Sequence, residues 1–149
     1  MDSKILIAAD HGGIKLKSDL VKFLKKLHVS VKDLGTNSED SVDYPDYAIK
    51  LAKTVGKSKS QKGILICKSG IGMAISANKV KGVRAALCLN KKMAELSRQH
   101  NNSNVLVLGA GFVPSKKAEG IVKAWLGAKF EGGRHERRIK KITDYEGKR

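Results

Sequence analysis

The sequence predicts an α/β fold, a Rossmann-like doubly wound five-stranded parallel sheet with a C-terminal basic helix. Three observations carry that reading. Short apolar, β-branched runs alternate with amphipathic stretches from end to end, most of the runs end in polar residues, and 149 residues is the size of one domain able to bury a full core. Strands that alternate with helices require crossovers, and right-handed crossovers give a parallel sheet covered on both faces. The chain therefore reads as one domain over residues 1–149, with 130–149 a C-terminal helical extension.

The first strand runs from Ile5 to Ala9 and ends at Asp10-His11-Gly12-Gly13, after which a helix extends from near Gly13 to Leu27. Val29 to Leu34 is the second strand, and its helix spans Pro45 to Val55, with proline at the start where a missing N–H costs nothing. Gly63 to Cys67 is the third strand; it passes through Lys68 and Ser69 into a helix from about Gly70 to Asn78. Arg84 to Leu89 precedes a helix over Lys91 to Gln99, and Val105 to Leu108 precedes one over Pro114 to Leu126. Gly132 and Gly133 then read as a hinge into a short basic helix containing Arg134-His135-Glu136-Arg137-Arg138.

Composition narrows the function. The formal charge of +16 favours anionic partners, yet the lysines are spread over nearly every helix, aromatics are 5% of residues, and no helix-turn-helix, RNP or zinc-finger pattern occurs. A specific nucleic-acid partner is not expected. No long uncharged apolar stretch suits a bilayer, and Met1-Asp2-Ser3-Lys4 leads straight into a strand, so no membrane partner and a cytoplasmic location are expected. Cys67 and Cys88 do not form CxxC, and His11, His28, His100 and His135 lack zinc-ligand spacing, which predicts no metal. Cys88 reads as a small core residue.

The most informative segment is Gly63 to Gly72, in which an apolar run ends at a thiol, a hydroxyl and two glycines before a helix begins. Backbone N–H groups of such a loop can approach a ligand closely, and the helix N-terminus behind it carries partial positive charge. This is an anion cradle with an acid/base, Cys67, inside it. Gly63 followed by Cys67-Lys68-Ser69 mimics a phosphate-binding P-loop, but Cys67 stands where that loop needs glycine and Ile64-Leu65-Ile66 is too apolar to be exposed. Arg134 and Arg138, four apart on one helical face, present two guanidinium forks that suit a phosphate. His100-Asn101-Asn102 closes a helix and leads either toward the same sheet edge or toward a partner chain.

Several separated motifs in order resemble the type B ribose-5-phosphate isomerases, within the family that includes allose- and galactose-6-phosphate isomerases. They are Ala9-Asp10-His11-Gly12-Gly13, Asp43-Tyr44-Pro45, Cys67 with Ser69-Gly70-Ile71-Gly72, Ala77-Asn78-Lys79, Leu96-Ser97-Arg98-Gln99-His100-Asn101, and Gly133-Arg134-His135 with Arg137-Arg138. The resemblance implies an aldose-ketose isomerase working through an enediolate without a cofactor. It implies Cys67 as the base at carbon, Ser69 as proton shuttle between the two oxygens, and N–H groups of Gly70, Ile71 and Gly72 stabilising the enediolate. It further implies His100 as the ring-opening acid/base, Asp10, Tyr44 and Asn101 as sugar contacts, and His11, Arg134 and Arg138 on the phosphate. Asp10 has a second reading as a helix cap.

Two positions depart from the family pattern. Gly111 stands where ribose-specific members often carry an arginine, and Lys68 where glycine is usual; Lys68 reads as assisting the thiolate, as compensating for that arginine, or equally as a surface lysine with no role. Gly111 leaves a six-carbon aldose phosphate as an alternative substrate. A non-catalytic anion or nucleic-acid binding module is a further alternative, against which Cys67, Ser69 and His100 argue. The family implies a homodimer with shared sites, in which His100 and Asn101 face the neighbour's Cys67; a tetramer is the next larger assembly.

Overall fold

A computed structural model describes residues 4–148. The reading of the N-terminus rests on Met1 to Ser3, which lie outside the described residues, as does Arg149 at the end of the extension. Five strands form one all-parallel sheet: β1 (Ile5–Ala9), β2 (Val31–Asp33), β3 (Lys62–Cys67), β4 (Ala85–Leu87) and β5 (Val105–Gly109). The spatial order is β2-β1-β3-β5-β4. Six helices accompany them: α1 (Ile14–Lys26), α2 (Tyr44–Gly56), α3 (Ile71–Ala77), α4 (Lys91–Gln99), α5 (Ser115–Gly127) and α6 (Arg134–Gly147).

The central strands are continuous apolar runs because both faces are covered. Alternation of side chains sends Ile5, Ile7, Ile64, Ile66, Leu106 and Leu108 to one face, where they meet α1, α4 and α5. Leu6, Ala8, Leu65, Val105 and Val107 pack on the other face against α2 and α3. On α1 the burying stripe is Leu16, Leu20 and Leu24, one residue per turn, and each such burial contributes roughly 2 kcal/mol. On α5 it is Ala118, Ile121, Val122 and Trp125.

Most boundaries fall within two residues of those expected, and the differences have local causes. Ahead of α1, His11–Gly13 forms a 3-10 turn because the Asp10 carboxylate accepts from Gly12 N–H at 2.9 Å. Strands β2 and β4 are three residues each, shorter than Val29–Leu34 and Arg84–Leu89. Both are edge strands, paired on one side alone. The Asn78 side chain covers part of the free edge of β4, donating to Ala85 O at 3.0 Å and accepting from Ala85 N at 2.8 Å. Next to β2, buried Lys17 donates to Asp33 at 2.7 Å and Asn37 at 2.8 Å, tying α1 to the loop that leads toward α2.

The C-terminal segment turns at Gly132 and Gly133, whose φ values of +71° and +58° suit glycine. α6 then extends beside the edge strand β4. It is held at one end by ring contact between His135 and His100 and at the other by Glu146, which accepts from Gly82 N at 3.3 Å. A cleft of 410 Å³ separates α6 from the body, lined by Val83, Ala85, Ala86, Ile139 and Ile142 among others.

Candidate active site

The strand order reverses between β1 and β3, so the crevice beyond their carboxyl ends is the place where doubly wound sheets collect ligands. Asp10 and His11 leave the end of β1 there, and Cys67, Lys68 and Ser69 leave the end of β3. Gly70 takes φ +80°, and a side chain at this position would run into Leu87 at 2.6 Å and the backbone at Leu108 at 3.1 Å. That turn aims the Gly70 N–H at Cys67 Sγ, 3.1 Å away, and Ile71 N–H at Ser69 Oγ, 3.2 Å away. Two of the three expected oxyanion donors thus hold the sulfur and the hydroxyl in place.

Tyr44 reaches the same crevice from the start of α2. Its ring lies against Gly72, where a Cβ would fall 2.5 Å from Cζ. His11 is fixed by the loop before α2, accepting from Val42 N at 3.2 Å through Nδ1. The Asp10 carboxylate is buried and engaged in capping, as its second reading holds. Lys68 is exposed, and its stem lies over Gly111: a Cβ there would meet Lys68 Cγ at 3.3 Å and Cε at 3.7 Å. Gly111 N also donates to Lys68 O at 2.8 Å, and Ala110 N to Cys67 O at 2.8 Å. The Gly109-Ala110-Gly111 segment thus braces the β3 loop through its backbone.

The remaining candidates occupy the other edge of the sheet. α4 starts beyond the end of β4 and returns, so His100 and Asn101 lie beside the strand beginnings, where Asn104 N donates to Arg84 O and Gly63 N to Asn104 O, both at 3.0 Å. Four residue steps along β3 lead from Gly63 to Cys67, about 13 Å of strand. Of the two routes open to His100-Asn101-Asn102, the one toward the edge of Cys67 within the same chain is ruled out. Arg134 begins α6, and Glu131 N donates to Gln99 O at 3.0 Å, so Arg134 and Arg138 belong with His100. The candidate residues thus fall into two groups at opposite edges of the sheet.

Side chains to which the sequence assigned no role hold the turn after His100. Arg84 Nε donates to the carbonyls of Asn101 at 3.1 Å and Asn102 at 3.0 Å. Arg98 donates to the Asn102 side chain at 3.0 Å and to the Ser103 carbonyl. Ser103 Oγ meets Ser97 Oγ at 2.8 Å and accepts from Trp125 Nε1 at 2.9 Å. Burial lowers the pKa of both guanidiniums; Arg84 lowers that of Arg98 further, and Glu146 offsets part of the shift at Arg84. Arg84, Ser103 and Trp125 lie outside α4, so no helical period links them to His100.

His100, Glu131 and His135 bring ligand atoms within 4.8 Å of one another, the one such cluster among the described residues. Sequence spacing gave no hint of it, because the three come from a helix end, a glycine turn and another helix. The two imidazoles are stacked with an interplanar angle of 8°. In-plane lone pairs of parallel rings do not converge on one ion, so a cation would require the rings to fan apart. Burial pushes the His135 pKa below its ordinary 6.5, helped by His100, Arg134 and Arg138 and opposed by Glu131.

Comparisons with known proteins give the family and the fold. Residues 5–142 match the Ribose/Galactose Isomerase family. The chain is 46% identical over 146 residues to ribose-5-phosphate isomerase B of Escherichia coli, covering 98% of each. The structure of ribose-5-phosphate isomerase B from Mycoplasma genitalium with bound ribulose-5-phosphate superposes with a TM-score of 0.97 at 48% identity, covering 100% of this chain and 99% of that one. That of the Clostridium thermocellum ribose-5-phosphate isomerase B gives 0.93 at 48% identity, with 97% and 98% covered.

The buried Cys88 thiol offers a test of the packing. Burial pushes the Cys88 thiol from 9.0 up to about 11, with a hydrogen bond from Ser97 opposing. A folded-state value above the unfolded one contributes stability that is complete below pH 9 and lost as pH rises through 11. Replacing Cys88 by Ala should flatten the alkaline fall of stability in urea titrations, and iodoacetamide at pH 8 should label native Cys88 far more slowly than the unfolded chain.

Proposed function

The chain belongs to the ribose/galactose isomerase family, and on that premise we propose that it interconverts ribose 5-phosphate and ribulose 5-phosphate. The observation that carries this reading is the Cys67 thiol at the β1/β3 crevice, with Gly70 N–H donating to its sulfur and Ser69 Oγ on the same loop. A thiolate there removes the proton alpha to the carbonyl, the enediolate forms, and the proton returns to the neighbouring carbon. Ser69 moves a proton between the two oxygens. Gly72 N–H, with the Gly70 and Ile71 groups when they turn to the ligand, faces the developing charge. Asp10, Tyr44 and Asn101 hold sugar hydroxyls, and His11, Arg134 and Arg138 hold the phosphate.

We read the working form as a homodimer with shared sites. His100, Asn101, Arg134 and Arg138 sit about a strand length from Cys67 in one chain, so a second copy must supply one half of each site. A two-fold axis pairs unlike halves twice over. Exposed Ile71, Ile75, Leu89, Met93 and Phe112, together with Ile142 and Tyr145 on α6, offer apolar surface for that partner. No helix among the described residues is long and apolar enough to cross a membrane, and a cytoplasmic enzyme of one domain fits this reading.

Lys68 favours a five-carbon substrate over a six-carbon one. Its stem occupies the space beside Gly111, and on this reading its ammonium substitutes for an arginine at position 111. Turnover of ribose 5-phosphate should therefore exceed that of allose 6-phosphate and galactose 6-phosphate in purified protein. Lys68→Gly should weaken capture of ribose 5-phosphate by about tenfold, the worth of one charge-assisted contact, and Gly111→Arg should recover it. A Lys68→Gly protein with unchanged kcat/KM would place the ammonium outside the pocket.

The base is tested by Cys67→Ala, which suits a buried strand end yet carries no proton. It should fold normally, as judged by thermal unfolding, and lose at least about a hundredfold in kcat. Near-native turnover would remove Cys67 from the reaction.

A further inference from the structure

We propose that Glu131 and His135 are positioning residues for His100, holding its ring plane and facing the charge it acquires; the proposal rests on the reading of His100 as the ring-opening acid/base. His100 ends α4 with its side chain 38% exposed, on a turn whose backbone is clamped by Arg84 and Arg98 but whose own ring has no hydrogen bond among those found. What orients the imidazole is the face of His135, stacked at a centroid distance of 4.2 Å and 8° from parallel.

His135 is suited to that task. Its side chain is 8% exposed and its Nε2 has no hydrogen-bond partner. A buried nitrogen left unpaired costs free energy, so its retention needs a reason beyond packing. Glu131 supplies one: Oε1 lies 3.8 Å from His100 Nε2 and 3.7 Å from His135 Nε2, too long for hydrogen bonds but close enough for one carboxylate to face both rings. The backbone supports the arrangement. Glu131 N–H donates to Gln99 O, one residue before His100, and the two glycines at 132 and 133 fold the start of α6 back so that His135 returns to the same side.

The surrounding charges separate the roles of the two histidines. Burial first, then His100 and the Arg134 and Arg138 guanidiniums on α6, disfavour a proton on His135, with Glu131 opposing them. His135 therefore remains a neutral platform while the more exposed His100 exchanges the proton, an arrangement in which two like groups are given different tasks by their environments. In the step itself, His100 takes the proton of the anomeric hydroxyl. The bond from carbon 1 to the ring oxygen breaks, its electron pair stays on that oxygen, and the oxygen takes a proton from water. The imidazolium, opposite the Glu131 carboxylate, then returns its proton to solvent.

The test compares ribose 5-phosphate, which is mostly a closed ring, with 4-deoxyribose 5-phosphate, which has no hydroxyl able to close one. Glu131→Gln keeps shape and removes charge at an exposed position; His135→Ala removes the platform, and His135→Phe restores a flat face without nitrogen. Glu131→Gln and His135→Ala should each lower kcat on ribose 5-phosphate by about tenfold or more, a part of the hundredfold or greater effect of a positioned acid/base, with KM little changed and the linear substrate within about twofold. His135→Phe should recover most of the loss seen with Ala. Equal losses on both substrates, no loss in Glu131→Gln, or a Phe variant as slow as the Ala variant would overturn the proposal. His100→Asn separates this from the underlying reading: if it too slows both substrates alike, His100 does not open rings and the inference falls with it.

Discussion

All five strands point the same way, and that single constraint sorts the chemistry of this chain. Parallel pairing through β2-β1-β3-β5-β4 puts every strand end on one edge and every strand beginning on the other. Residues that follow a strand, such as Asp10, Cys67 and Ser69, gather at the first edge. Residues that follow a helix, such as His100 and Asn101 after α4, are carried to the second. No rotamer change can bridge a strand length. On the proposed roles, pairing Cys67 with His100 would require a second copy of the chain, and the basic helix α6 travels with His100 because the Glu131 turn is hydrogen-bonded to the end of α4.

Each half-site is rigid for a different physical reason. At the first edge the backbone does the holding. The positive φ of Gly70 turns one N–H onto Cys67 Sγ and sets the next onto Ser69 Oγ, while the β5 loop donates Ala110 and Gly111 N–H groups to the carbonyls of Cys67 and Lys68. At the second edge side chains do it. Arg84, Arg98, Ser97 and Trp125 converge on residues 101–103, so the turn that presents His100 is clamped from β4, α4 and α5 together. Arg98 is buried and Arg84 partly so among polar carbonyls, where removing one would leave acceptors unpaired in a region of low dielectric.

The fold and the first half-site were legible in the sequence because their signals are local. Apolar runs such as Ile64-Leu65-Ile66 can only be strands covered on both faces, and the thiol, hydroxyl and glycines that follow lie within one loop. Edge strands were overestimated in length, since an edge strand loses half its partners and the apolar pattern does not record which strands lie at the edge. The second half-site was legible as motifs but not as a place. Gly133-Arg134-His135 is visible in the chain, yet the stacking of His135 on His100 joins residues 35 positions apart through a turn that no periodicity predicts. The same holds for the metal-like spacing of those histidines, and for Lys68 lying over Gly111, which is a contact between the loops of two different strands.

The central claim, that one catalytic centre takes Cys67 from one copy and His100 from another, is tested most directly by subunit complementation. Cys67→Ala and His100→Asn proteins, each inactive or slow on ribose 5-phosphate, are mixed under conditions that exchange subunits, and mixed dimers are verified by differently tagged chains. A mixed dimer carries one site with both substitutions and one with neither, so random exchange should restore about a quarter of native turnover. Mixed dimers that form and recover no activity would contradict the shared site.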